Sequence, residues 1–259
     1  MHALIDADII SYACAYKHKD SKNLNDISTY IDESIKSILT KVGTNEYIGF
    51  LTGKGNFRHE FAKTKSYKGT RSTRPIYLEV ARAYMQAKYG FIVTDGIEAD
   101  DAIAICAEDT NCVICSTDKD LDQIPGHHYN WVKGITYEIT QDEALINTWL
   151  RMLTGDTVDN IQGIEGIGPV KAKKILSSPV KSNDEYRETV LNAFIQHYGL
   201  RQGISMFSEH YQLIALLNKS EASKYNFIIP KPLNISECGE YREERCVQEE
   251  KVDGAKLFE

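Results

Sequence analysis

Acidic residues recur in tight groups along this 259-residue sequence. Asp6 and Asp8 flank one alanine; Glu98, Asp100 and Asp101 lie close together; Asp118 and Asp120 flank one lysine; Asp156 and Asp159 follow. Two carboxylates ~4 Å apart repel by roughly 4 kcal/mol at an effective dielectric near 20. A gathered set is therefore tenable only with cations among its members or with protons retained. Hard oxygen ligands select Mg²⁺ or Mn²⁺ over zinc, and Mg²⁺ accepts few carboxylates per ion. So many acids suit two ions, and two ions about 3.5–4 Å apart serve in-line displacement at a phosphodiester. Taken singly, a D-x-D pair reads as a solvated turn, and an acid at a helix start as a cap. Joint placement at successive strand ends points to a metal centre.

The second chemical signal runs from Gly163 through Gly166, Gly168 and Pro169 to Lys171, Lys173 and Lys174. Closely spaced glycines permit a tight hairpin whose backbone amides approach a partner. Pro169 suits the first turn of a helix. A helix start with exposed amides and lysines suits phosphate, bound without reading base sequence. An ordinary helix–helix turn is the alternative.

The elements must bring these groups together. His2–Ile5 reads as a strand ending in a loop at Asp6-Ala7-Asp8, and Tyr47–Leu51, Phe91–Val93 and Cys112–Cys115 as further strands. Asp26–Leu39, Ile76–Tyr89 and Glu98–Glu108 carry helical spacing. Val132–Ile139 resembles a small hairpin, with His127 and His128 in a loop before it. Strands alternating with helices imply a mostly parallel sheet covered by helices on both faces, an α/β class. Its ligand crevice lies outside the carboxyl ends of the strands. We divide the chain into residues 1–140, a helical region 141–233 and a weakly ordered tail 234–259.

Composition is ordinary, with 42% hydrophobic and 26% charged residues. No apolar run approaches a bilayer span of roughly 20 residues, and the start lacks the features of a signal peptide. The expected location is the cytoplasm. Six cysteines are too sparse for a disulfide framework. Cys112 and Cys115 have zinc-like spacing, but in a strand they point to opposite faces. The net charge of −7 hides a basic stretch from Lys54 to Lys88, where Glu60 and Glu79 are the only acids. Such segregation suits a polyanion binder.

Six motifs in order, "LIDAD", "FRHE", "YKGTR", "GIEADD", "STDKDLDQI" and "GDTVDNIQGIEGIGPVKAKKIL", resemble the 5′-nuclease, or flap endonuclease, superfamily. The resemblance covers about residues 1–220. It is strongest to phage-type 5′–3′ exonucleases and the N-terminal nuclease domain of bacterial DNA polymerase I. It implies a PIN-like domain and a helix–three-turn–helix module for duplex DNA. It implies two Mg²⁺ ions, with Mn²⁺ as an alternative. Asp6, Glu98 and Asp100, with Asp101 nearby, would hold the first; Asp118, Asp120, Asp156 and Asp159 would hold or support the second. It implies K⁺ on backbone carbonyls of the hairpin at Gly163, Gly166 and Gly168. Lys68 and Arg71 would contact the scissile phosphate beside Tyr67. The stretch 54–88 would form a basic arch, with Arg58 binding DNA and Phe57, Phe61, Tyr67, Tyr77 and Tyr84 either stacking bases or packing in the core. Expected partners are DNA 5′ ends, flaps or nicks, RNA–DNA hybrids and a replication polymerase, with no membrane and a monomeric chain.

One feature departs from the family. Its members usually carry an aspartate after the second strand, where this chain has Thr52 and Gly53. Asp8 is the candidate substitute. Competing readings are a DNA clamp without cleavage, a Toprim-type enzyme and a haloacid-dehalogenase-type phosphatase. The last two leave the glycine hairpin and the basic stretch unexplained.

Overall fold

The computed structural model describes residues 1–21, 23–70, 73–108, 110–177 and 182–238. The chain starts on β1 (His2–Asp6), passes directly into α1 (Ala7–Lys17), and continues through α2 (Asn25–Val42) to β2 (Glu46–Thr52). The short α3 (Arg58–Phe61) is followed by α4 (Leu78–Tyr89), β3 (Ile92–Thr94), α5 (Ala99–Ala107) and β4 (Cys112–Cys115). A 3₁₀ turn at Lys119–Gln123 leads to the hairpin β5 (Gly126–Asn130) and β6 (Ile135–Ile139). The helical part holds α6 (Gln141–Thr154), the two-residue strands β7 (Gly155–Asp156) and β8 (Ile161–Gln162), α7 (Pro169–Leu176), α8 (Asn183–Tyr198) and α9 (Leu200–Ile214). The chain then returns through a 3₁₀ segment, Lys219–Tyr225, to β9 (Leu233–Asn234).

The main sheet has the order β3-β2-β1-β4-β5-β6, with β9 also on β2. β3, β2, β1, β4 and β5 run parallel, while β6 and β9 are antiparallel. The order reverses at β1, which leaves a crevice at the carboxyl ends of β1 and β4.

The strands are short apolar runs because both faces are covered. Ala3 and Ile5 face a core built on Ile10 and Cys14 of α1 and Ile27, Ile31, Ile35 and Ile38 of α2. Leu4 faces the opposite core with Ala102, Ile103 and Ile105 of α5. Cys115 belongs to the first core and Cys112 packs on the second, so the two sulfurs point apart. Trp149, Met152, Phe194 and Phe207 centre a third core in the helical part, which Tyr67 also enters.

Four local expectations need correction. The loop at Asp6-Ala7-Asp8 is the start of α1. The expected hairpin starts earlier, and His127 and His128 lie in β5. His128 is buried, with Nε2 2.8 Å from the Ile124 carbonyl. Residues 234–238 are not loose. β9 pairs Asn234 with Glu46, and Cys238 lies buried with Sγ 2.7 Å from the Tyr47 hydroxyl. The rest of the expected tail, 239–259, lies outside the described residues.

Candidate metal and nucleic-acid site

Asp6 ends β1, Asp118 follows β4, and Asp100 sits in the first turn of α5. Ser116 connects two of them. Its hydroxyl donates to Asp6 Oδ2 at 2.7 Å and accepts the Asp118 N–H at 3.0 Å. Burial first, and then the Asp8 charge, pushes the Asp6 carboxyl up to about 7. Asp100 is also held well above the usual carboxylate range, by the surrounding protein and by the charges of Asp6, Asp118 and Glu98. Among the described residues none of Asp6, Asp100 and Asp118 forms an ion pair.

Glu98, at the N-terminus of α5, stands apart. Lys68 Nζ binds Glu98 Oε1 and lies 3.7 Å from Asp159 Oδ2. The Tyr67 hydroxyl is 3.0 Å from both Glu98 Oε2 and Asp159 Oδ2. Burial alone would raise the Glu98 carboxyl, but the Lys68 and Arg58 charges hold it below its ordinary value. Lys68 has φ 55°, a left-handed backbone that most side chains avoid, and its N–H donates to the Asp159 carbonyl at 2.9 Å. Tyr67 itself is buried, and burial with the Glu98 charge pushes its phenol up. It positions the two carboxylates and does not reach solvent.

Arg151 is a residue that spacing did not reveal. Its Nη2 donates to Asp120 Oδ2 and Asp156 Oδ2, both at 2.6 Å. Asp156 Oδ1 accepts the N–H groups of Val158 and Asp159 at 2.7 and 3.2 Å. Both Asp156 oxygens are thus occupied. Burial, only partly opposed by Arg151, pushes Asp120 up to about 7. Asp120 Oδ1 is buried without a hydrogen-bond partner.

Two expected site residues turn out to be structural. Arg58 is buried, and Nη1 and Nη2 fork onto Asp101 at 2.5 and 2.8 Å. It also donates to the Leu213 and Ala215 carbonyls near the end of α9. Arg58 is therefore no DNA contact. Asp101 accepts further N–H bonds from Glu98 and Leu217, which leaves nothing for a metal. Arg71 lies outside the described residues.

The basic stretch is thinner in space than in sequence. Arg58 is buried, Arg82 pairs with Asp8, and Lys88 pairs with Asp32. Lys54, Lys63, Lys65 and Arg74 are exposed. Phe57 and Tyr67 are buried, and Tyr77 and Tyr84 pack on the first core; Phe61 remains exposed.

The glycine hairpin links β8 to α7. A Cβ on Gly163 would lie 2.2 Å from the Thr154 carbonyl carbon, so close backbone packing requires this glycine. Gly166 has φ +74° with open space around it, and Gly168 is also open. Lys171 Nζ donates to the Gly166 carbonyl at 2.8 Å. Lys173 and Lys174 are exposed on the same short helix.

Whether a divalent ion fits can be judged from these donors. Asp6, Asp100 and Asp118 offer oxygen only, repel one another and, among the described residues, form no ion pair, while Asp120 keeps an unspent buried oxygen. That chemistry fits a hard cation. Among the described residues no three His, Cys, Asp or Glu side chains already form a closed cage. Holding an ion there would require the carboxylates to converge on it.

A family profile described as "5′-3′ exonuclease, N-terminal resolvase-like domain" matches residues 2–150. The DNA polymerase I of Bacillus caldotenax is 30% identical over 207 residues, which cover 67% of this chain and 23% of that one. The chain thus spans about a quarter of that relative's length. The flap endonuclease Xni of Pseudoalteromonas translucida is 25% identical, covering 77% of this chain and 84% of its own. The structure of bacteriophage T5 flap endonuclease, in a pseudo-enzyme–product complex with DNA and metal ions, is similar with TM-score 0.56. It is 19% identical and covers 94% of this chain and 99% of that one, a likeness of fold. No helix among the described residues is long and apolar enough to cross a membrane.

Proposed function

The chain belongs to the 5′–3′ exonuclease family through its N-terminal resolvase-like domain, and from that premise we propose that it hydrolyses phosphodiester bonds near DNA 5′ ends. The observation that carries this reading is the crowding of Asp6, Asp100 and Asp118, in no ion pair among the described residues, at the crevice of a parallel sheet. The geometry supports a centre for two Mg²⁺ ions, with Mn²⁺ an alternative. Asp6, Glu98 and Asp100 would hold one, and Asp118 and Asp120 the other, with Asp156 and Asp159 supporting. Bound there, divalent ions activate water and neutralise charge that develops on the phosphate.

The chain's own residues do the rest. Ser116 orients Asp6, and Tyr67 holds Glu98 and Asp159 in register. Lys68 is the cation placed to turn from Glu98 to the scissile phosphate, with Arg71 as its expected companion. The hairpin amides and Lys171, Lys173 and Lys174 would grip the duplex backbone without regard to sequence. K⁺ at the hairpin carbonyls belongs to the same proposal, and it would displace Lys171 from Gly166. Flaps, nicks and RNA–DNA hybrids are the proposed substrates, a replication polymerase the proposed partner, and a monomer the working form.

The test is a 5′-flap duplex labelled at the flap end, incubated with Mg²⁺, Mn²⁺ or EDTA, beside an Asp118→Asn control. Metal-dependent release that Asp118→Asn abolishes supports the reading. The fragment length separates stepwise trimming from junction cutting. Binding without cleavage in either metal would replace it with the DNA-clamp reading.

A further inference from the structure

Asp8 lies in the first turn of α1, and its charge helps push the Asp6 carboxyl up. A further carboxylate therefore stands at the edge of the unpaired set, but it is already engaged. Arg82 of α4 donates from Nη1 to Asp8 Oδ1 and from Nη2 to the Thr52 carbonyl, both at 2.6 Å. The Thr52 N–H donates to Asp8 Oδ2 at 3.0 Å, and the Thr52 hydroxyl accepts the Ala99 N–H at 3.0 Å. One guanidinium thus ties together the start of α1, the end of β2 and, through Thr52, the first turn of α5 that carries Asp100. The Arg82 side chain is 12% exposed and that of Asp8 22%, so this is no solvated surface pair. The other acid near Arg82, Glu79 on its own helix, is 4.0 Å away and 71% exposed.

We propose that Arg82 is a positioning residue that withholds Asp8 from divalent cations and so limits the carboxylates available to the ion beside β1. The inference rests on the metal-dependent reading above. A guanidinium with two spent donors has a fixed orientation. For Asp8 to reach an ion, Arg82 must give up a charged hydrogen bond or its bond to the Thr52 carbonyl. Glu79, exposed and 4.0 Å away, offers it no equal replacement. The ion is then held by fewer acids, keeps more water, and leaves more of its coordination to the substrate phosphate.

The test is Mn²⁺ binding to the metal-free protein, followed by electron paramagnetic resonance of free and bound Mn²⁺. Line broadening in isotope-labelled water counts the waters left on the bound ion. In Arg82→Gln, Asp8 is released; affinity should rise roughly tenfold and the mean water count should fall. In the double variant Asp8→Asn/Arg82→Gln, which keeps the net charge, affinity and water count should return to wild type. An unchanged water count in folded Arg82→Gln would overturn the proposal. So would a tenfold loss of affinity in the double variant, since Asp8 would then already be a ligand; this arm decides even where Arg82→Gln does not fold. Asp6→Asn separates the two readings. Wild-type Mn²⁺ binding in Asp6→Asn, or none in the wild type, removes the metal centre itself and this proposal with it. Failure of the Arg82 arms alone leaves the metal centre standing.

Discussion

Arg58 binds Asp101 through two parallel bonds of 2.5 and 2.8 Å in the interior of the protein, with Glu98 3.8 Å away. The pair also neutralises one member of the "EADD" run and fastens α9 to α5 through the Leu213 and Ala215 carbonyls and the Leu217 N–H. Breaking a buried pair by removing one partner costs about 3–5 kcal/mol. Arg58→Ala should therefore lower the urea midpoint sharply, and Arg58→Met with Asp101→Leu should recover much of the loss. A surface, DNA-contacting Arg58 would instead weaken DNA binding and leave the midpoint unchanged.

Asp6 gives a pH dependence of defined sign. Its folded-state value, about 7, lies above that of an unfolded aspartate, so the folded protein binds the proton more tightly. Its contribution to stability is fullest below the unfolded value and is lost as pH rises towards about 7. In EDTA, the melting temperature of wild type minus that of Asp6→Asn should fall from pH 5 to pH 8, the range that brackets this titration. Mg²⁺ should raise the wild-type value most at the alkaline end. A flat difference across the range would contradict the assignment.

The hairpin glycines should separate. Gly163→Ala places a methyl within 2.2 Å of the Thr154 backbone and should cost several kcal/mol, read as a large drop in melting temperature. Gly166→Ala meets no atom but keeps φ +74°, at a cost of roughly 1–2 kcal/mol. Gly168→Ala should be nearly neutral. Equal effects at the three positions would mean that the close approach to Thr154 does not hold.

Lys173 and Lys174 should act on affinity and not on stability. Each substitution by alanine should reduce the slope of log affinity against log salt by roughly one, whatever the duplex sequence. Fluorescence anisotropy across a KCl series measures it. A slope that stays put would remove these lysines from the interface.

At the first metal position, Gly53→Asp and Thr52→Asp should part company. A Cβ on Gly53 would lie 2.2 Å from Asp95 Oδ1 and 2.8 Å from the Thr94 carbonyl, so that variant should fold poorly. Thr52→Asp keeps an acceptor for the Ala99 N–H and adds a carboxylate beside the ion nearest β1. It should lower the Mg²⁺ concentration needed for half-maximal cleavage. An unchanged metal titration in folded Thr52→Asp would count against an ion at that corner.

The sequence by itself determined a mostly parallel sheet covered by helices, with Asp6 and Asp118 at its strand ends. Short runs of three to seven residues between helices leave few alternatives to a covered parallel sheet, and that topology puts strand ends in one crevice. Cys112 and Cys115 were readable in the same way, since strand periodicity alone sends them to different cores. Local patterns also misled. Asp6-Ala7-Asp8 looks like a turn until burial of Ile10 and Cys14 against α2 makes it a helix start.

Only the tertiary structure decided which charge meets which. Arg58 and Arg82 belong to a basic stretch in sequence, yet one is buried on Asp101 and the other closes on Asp8. Arg151 has no motif, yet it holds both Asp120 and Asp156. Side-chain charge is visible in a sequence, but whether it is spent on a partner depends on distance and burial, which arise only when α4, α6 and α9 pack against the sheet and its loops. Among the described residues the same packing leaves Asp6, Asp100 and Asp118 without an ion pair, because Arg58, Arg82 and Lys68 close on Asp101, Asp8 and Glu98 instead.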